Sequence, residues 1–203
     1  ILKTTNGGES WTPQQSGTTD VLVSVSFSDI NTGTIVGWGA TILRTTNGGN
    51  NWVLQATDPQ NLTDVYFIDN DNGTAVGYSG NIIRTTDGGN TWYPQTSGTD
   101  LPLLSVNFTT PLNGTCVGDW GTIITTSDGG STWNTFSSGT TNALLGVTFR
   151  DSYNGTIVGL YGTIFQTSNG GTSWELHTAG TRNGFFGISF SDSKHGAIVT
   201  GGI

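Results

Sequence analysis

The sequence predicts an all-β fold made of radially repeated four-stranded antiparallel units, and three observations carry that prediction. First, an octapeptide running from Thr4 to Trp11 returns at Thr45–Trp52, Thr85–Trp92, Thr126–Trp133 and Thr167–Trp174, with its tryptophans 41, 40, 41 and 41 residues apart. Second, an alternating segment ending in an aromatic and followed by Gly and a short apolar run keeps the same beat. It reads Val25-Ser26-Phe27 before Gly33–Gly37, Val65-Tyr66-Phe67 before Gly73–Gly77, and recurs at 106–118, 147–159 and 188–200. Third, 32 of the 203 residues are glycine, about twice the usual share, and they fall in the turns between these segments. Units of about 40 residues with four short strands each describe a β-propeller.

Each element follows from local pattern. Leu22 to Phe27 alternates apolar and polar residues, as a half-buried strand does. Thr34–Gly37 is the second strand, Ile42–Thr46 the third and Trp52–Gln55 the fourth, with turn residues between them and no useful helical period. The repeats divide as 16–56, 57–97, 98–138 and 139–179, with 180–203 joined to 1–15. The last blade is thus expected to close with two strands from each end of the chain, giving a five-bladed ring. A five-repeat portion of a larger propeller, for example a seven-bladed one, is the alternative.

Composition excludes several classes of function. The net charge is −8, and six Lys/Arg in total cannot line a phosphate backbone, so no nucleic-acid partner is expected. Anionic membrane surfaces are disfavoured for the same reason, and no apolar run is long enough to span a bilayer, so no membrane insertion is expected. A single cysteine, Cys116, excludes an internal disulfide and a thiolate zinc site. It aligns with Ile35, Ala75, Ile157 and Ile198 and is expected in the core. The Gly/Thr/Ser/Asn-rich, Lys-poor composition suggests a secreted chain, extracellular or periplasmic. With no Met and no signal-like head, the chain as given is expected to be a processed form or a piece of something longer.

The octapeptide resembles the Asp-box (BNR) motif, with Asp87 and Asp128 at the acidic position and Asn6, Asn47 and Asn169 in the other copies. A short Asx side chain bonds backbone amides within its own turn, so Asn performs the task without charge. Trp11, Trp52, Trp92, Trp133 and Trp174 are expected to cover these turns and pack between blades, which makes the motif structural. The unit Ile-x-Arg-Thr-Thr-Asp-Gly-Gly-x-x-Trp is similar to the Ycf48/HCF136-like photosystem II stability/assembly factor family and its bacterial relatives. That resemblance implies a propeller, a protein partner, an assembly role and a basic patch formed by the residue before each octapeptide. Here that position reads Lys3, Arg44, Arg84, Thr125 and Gln166, a partial stripe on an acidic protein. The plainer reading is a solvated strand position.

No catalytic constellation emerges. Sialidases carry Asp-boxes too, but the two glutamates, Glu9 and Glu175, sit beside octapeptide tryptophans, and no arginine triad is in view. Asp29, Asp69, Asp151 and Asp192 share one turn position, so they read as structural and not as a glycosidase pair. Asp69–Gly73 superficially resembles a calcium loop but lacks the downstream Glu. No metal and no cofactor are expected, and His177 and His195 have no motif around them.

The best candidate surface is the hairpin between second and third strands. Trp38, Tyr78, Trp120 and Tyr161 place one aromatic there in each of four repeats, while the fifth has Gly201 and Gly202. Rings at loop tips stack on sugars or anchor a protein partner; packing of the rings between blades is the alternative. Asp20, Asp100, Asn142, Arg182 and Asn183 would rim this surface. The expectation is a non-catalytic protein-interaction or scaffold module, with a glycan-binding lectin and a photosystem II-type assembly factor as rivals.

Overall fold

The computed structural model describes residues 1–55 and 60–201. Four antiparallel four-stranded sheets follow the repeat. They comprise β3 (Leu22–Phe27), β4 (Gly33–Gly37), β5 (Ile42–Thr45) and β6 (Val53–Leu54); then β7 (Leu62–Phe67), β8 (Gly73–Gly77), β9 (Ile82–Thr85) and β10 (Tyr93–Gln95). The third holds β11 (Leu103–Phe108), β12 (Gly114–Gly118), β13 (Ile123–Thr126) and β14 (Asn134–Phe136). The fourth holds β15 (Leu144–Phe149), β16 (Gly155–Gly159), β17 (Thr163–Thr167) and β18 (Glu175–Thr178). Two-stranded sheets complete the strand set: β1 (Leu2–Lys3) with β2 (Thr12–Pro13), and β19 (Gly184–Phe190) with β20 (Gly196–Gly201). The chain is an all-β propeller with the strands of five blades. Among the described residues, no helix is long and apolar enough to cross a membrane.

The second strand of each complete blade is buried along its whole length, because it is sandwiched between its own neighbours and the next blade. The apolar cores lie between blades. Val36 and Ile42 of the first pack with Leu62, Val65 and Ala75 of the second, and the pattern repeats at the next two junctions. Cys116 is fully buried in one of these cores, where burial pushes its thiol pKa well up and the nearby Asp64 charge adds to the effect.

The expected union of residues 180–203 with 1–15 into one blade runs through a junction that lies partly outside the described residues. The strand pairs β1–β2 and β19–β20 stand as separate sheets among the described residues, and Gly202 and Ile203, on which the closure drew, lie outside them. The outer face of β3 is open to solvent across a cleft from β1–β2. Phe27 is 46% exposed there, against 2% for its equivalent Phe108. The cleft has a volume of about 840 Å³. Trp11 is likewise exposed, and among the described residues no ring pairs with it edge-on.

Candidate functional site

The octapeptide turns are built by one hydrogen-bond scheme. In the second blade the Thr85 hydroxyl accepts from Gly89 N–H (2.8 Å) and donates to Asp87 (2.8 Å), whose carboxylate accepts from Thr91 N–H and Oγ1 (2.9 and 2.6 Å). Those bonds, led by the Thr91 hydroxyl, hold the Asp87 carboxyl down at about 2. Where Asn replaces Asp, its amide donates instead: Asn6 Nδ2 to Ser10 Oγ (3.0 Å) and Asn169 Nδ2 to Ser173 Oγ (2.9 Å). Asn47 Oδ1 accepts from Asn51 N–H (3.0 Å), and Asp128 repeats the Asp87 scheme with Thr132. Trp52, Trp92, Trp133 and Trp174 each meet the phenyl ring of their own blade edge-on, at centroid distances of 5.8–6.1 Å.

The basic stripe is consumed by the fold. Lys3 Nζ donates to Asn50 Oδ1 (2.7 Å), and Arg44 donates to the Gly88 carbonyl (2.6 Å) and Asn90 Oδ1 (3.0 Å). Each therefore reaches the octapeptide turn of the following blade. Arg84 is 8% exposed, donates to Thr74, Asn72 and the Pro111 carbonyl, and lies over the Phe108 ring at 5.1 Å. Burial lowers its pKa, partly offset by Asp69. These three cations staple blade to blade. Thr125 and Gln166 have no such role, but Arg150 supplies one from a different position. It lies 5.0 Å from the Phe190 ring and donates to the Ser193 carbonyl (2.8 Å), as Arg84 does to Phe108 and Pro111.

The repeated turn aspartates are also occupied. Asp69 accepts from the Asp71 and Asn72 N–H groups and from the Asn72 amide, which fills the superficially calcium-like loop with its own turn. Asp29, Asp151 and Asp192 cap their turns in the same way, and these bonds lower all three carboxyl pKa values. His195 pairs with Asp192 at 2.7 Å, and His177 lies 3.9 Å from Glu175.

The hairpin face is different. Trp38, Tyr78, Trp120 and Tyr161 are all exposed, Trp120 the most at 66%. They occupy two turn positions, not one. Trp38 and Tyr78 open their turns, whereas Trp120 and Tyr161 sit one residue later, equivalent to Gly39 and Ser79. Both later residues are left-handed, Trp120 at φ 56°, ψ 33° and Tyr161 at φ 57°, ψ 34°. The following Gly121 and Gly162 are left-handed too, so each hairpin has two consecutive positive-φ residues, the pattern of a type I′ turn. A left-handed bulky residue is sterically unfavourable and persists only where its surroundings fix it. Here the loops entering its own blade and the next blade fix it. Asp119 N–H donates to the Pro102 carbonyl and Leu160 N–H to Ala143 (3.0 and 2.9 Å), while a Cβ on Gly121 would overlap the Thr140 carbonyl oxygen. The rim residues take part: Asp20 accepts from Thr41 and Thr18, which lowers its pKa, and Asn142 Nδ2 donates to Thr163. Gly162 N–H donates to the Asn183 carbonyl (2.8 Å), and Asp100 and Arg182 are exposed.

One part of this face escapes a reading by alternation. Every inner strand begins with a bulge, at Val23, Thr63, Leu104, Leu145 and Phe186, and these residues line a central cavity of about 240 Å³. Bulges re-aim a side chain out of the pleat. The signal was present as two consecutive bulky residues at each strand start, such as Leu103-Leu104 and Phe185-Phe186. In the cavity wall Asp64 bridges three blades. It accepts from Ser24 Oγ (2.7 Å), Val65 N–H (2.9 Å), Ser105 Oγ (3.1 Å) and Val106 N–H (3.0 Å). Burial raises its pKa and these four bonds oppose the rise.

No family model and no curated protein matches the sequence. Among solved structures, Ycf48 bound to a D1 peptide is similar at 18% identity and a TM-score of 0.55, with 92% of each chain covered. Ycf48 from Cyanidioschyzon merolae aligns at 18% identity and 0.61, covering 98% of this chain and 85% of that one. A GH74 enzyme from Niastella koreensis superposes at 0.77 and 14% identity; 95% of this chain spans 36% of its length. At these identities the likeness is one of fold.

Proposed function

We propose that this chain is a non-catalytic, extracytoplasmic propeller module that binds a protein partner on its hairpin face. The observation that carries the reading is the set of four exposed rings, two of them held in a left-handed conformation that the fold itself has no need to fill with an aromatic. Residues in such backbone states point to function when their surroundings enforce them. The octapeptide turns read as Asp-boxes in a structural role, since their side chains are spent on their own hairpins. The assignment as non-enzymatic rests on the carboxylates, most of which are committed to turn or inter-blade bonds. One neighbour of the same fold is described as bound to a peptide, which is consistent with a protein partner.

A photosystem II-type assembly role draws on the family resemblance, but its basic patch is here engaged within the fold. Sugar binding is the rival, because one exposed ring per repeat also suits repeated saccharide units. Peptide and glycan arrays probed with the wild type and with Trp38→Ala and Trp120→Ala decide between them. The expected result is a peptide signal lost in both variants. A glycan signal lost in the same variants would replace the reading with a lectin, and hydrolysis of any glycoside by the pure protein would overturn the non-catalytic assignment.

A further inference from the structure

We infer that the hairpin face selects a cationic segment, an extended peptide carrying Lys or Arg, an inference that rests on the protein-partner reading above. The distribution of charge is the first ground. Of the six Lys and Arg residues, Lys3 and Arg44 reach into octapeptide turns, Arg84 reaches the turn between first and second strands at Pro111, and Arg150 and Lys194 lie at such turns. Both kinds of turn are at the end of the blades opposite the aromatic hairpins. Only Arg182 is on the aromatic side, against Asp20, Asp100 and Asp119.

Placement is the second ground. The loop that carries Asp100 runs between two aromatic hairpins. Its Thr99 carbonyl abuts Gly80 of the Tyr78 hairpin, and its Pro102 carbonyl accepts from Asp119 N–H, one residue before Trp120. Two carboxylates therefore stand in the same loop-and-hairpin unit as two exposed rings. A ring face attracts a cation through its quadrupole, and a nearby carboxylate adds Coulombic attraction. An anionic segment would gain neither and would meet like charge. The molecule already uses this chemistry internally, with Arg84 on Phe108 and Arg150 on Phe190 at 5.1 and 5.0 Å.

Arg182 gives the surface a direction. It lies in the loop against the Tyr161 hairpin, at the far end of the arc from Asp20. A bound segment carries its cations over the Trp38–Trp120 side and a neutral or acidic residue toward Tyr161.

Synthetic peptides of equal hydropathy that carry Lys/Arg, only neutral residues, or Asp/Glu are titrated against the full chain by fluorescence anisotropy. The Lys/Arg set is expected to bind best and to weaken as salt rises. Asp100→Asn with Asp119→Asn should weaken it about tenfold, roughly threefold per carboxylate. Asp71→Asn, at the opposite end of the second blade, should leave it unchanged. Equal or better binding of neutral or acidic peptides, or no effect of the double variant, overturns the cationic selection. If such charge-blind binding is still lost in Trp120→Ala, the protein-partner reading survives. Absence of binding by all three sets overturns both.

Discussion

Replacing Trp120 by glycine and by alanine separates the strain at the hairpin face from the burial of its ring. The residue sits at φ 56°, ψ 33°, where an L-side chain is disfavoured by roughly 1–2 kcal/mol per residue. Both variants remove the same ring, two-thirds of which is already in solvent, so the lost burial cancels between them. What remains is the conformational difference. Alanine keeps the left-handed penalty and glycine does not, while glycine loses more freedom on folding. The balance favours Trp120→Gly over Trp120→Ala by about 1 kcal/mol, or about 0.5 M in the urea midpoint for a slope near 2 kcal/mol/M. Trp38 is the internal control. It bears the same ring one turn position earlier and has no positive φ, so there the order reverses, with glycine worse by about 0.5–1 kcal/mol. Urea unfolding of the four variants at a common slope checks the sign at both sites. The same sign at Trp38 and Trp120 would refute the claim that the hairpin holds Trp120 under strain.

Three further outcomes follow from the geometry. Phe108→Ala should cost about 3–5 kcal/mol, and Phe27→Ala roughly half as much, because the Phe27 ring is 46% exposed where Phe108 is 2%. Equal losses in chemical denaturation would mean that the β3 face is covered in solution. Arg84→Ala should cost about 2–4 kcal/mol, since it strips the Pro111 carbonyl and a ring face of a buried cation. Arg44→Ala, whose side chain is half-buried, should cost about 1 kcal/mol in the same measurement. Asp87 is held at about 2 in the fold against 3.8 unfolded, so its contribution is complete above 3.8 and is lost as the pH falls through that interval toward 2. Asp87→Asn should therefore flatten the pH dependence of the thermal midpoint in that window, and an unchanged slope would contradict the assigned bonds. The Thr91 hydroxyl can turn to accept from the amide, as Ser10 and Ser173 do for Asn6 and Asn169.

The fold was legible because its information is local and repeated. Phe27, Gly33 and Trp52 recur at fixed offsets, and each offset marks a strand end, a turn or an edge-on ring pair. The same logic places Trp38, Tyr78, Trp120 and Tyr161 on the hairpins but leaves exposure and packing between blades equally open, and the structure decides for exposure. The bulges were legible but hidden by the alternation around them: Leu22-Val23 breaks the period by one residue, which is enough to turn Val23 into the cavity. Two features were not legible. Whether Arg44 and Arg84 point to solvent depends on the carbonyls of the following blade, 44 and 27 residues on, and sequence spacing says nothing about that reach. The strand pairs at residues 1–15 and 184–201 form separate sheets among the described residues, and turn lengths alone do not foretell that division.

Departures from the repeat carry more functional information than the repeat itself. Every blade offers nearly the same environment at equivalent positions, so a changed side chain marks a contact that the symmetry does not supply. Asp64 stands where other repeats have Ser24, Ser105, Gly146 and Gly187, and its carboxylate ties three blades together. That departure is spent inside the molecule. Arg150 departs in the opposite sense: it reaches the Ser193 carbonyl and the Phe190 ring from a turn, where Arg84 reaches Pro111 and Phe108 from a strand. At both of these junctions a planar cation lies between a ring and a turn carbonyl, and its origin in the chain is secondary. The hairpin aromatics depart as well, shifting from the first to the second turn position between Tyr78 and Trp120, yet the rings emerge on the same face. No hydrogen bond or buried core rewards that persistence, and the left-handed backbone opposes it at two of the four sites. Side chains kept on one face by two different routes, at a cost to stability, support the proposed docking of a partner there.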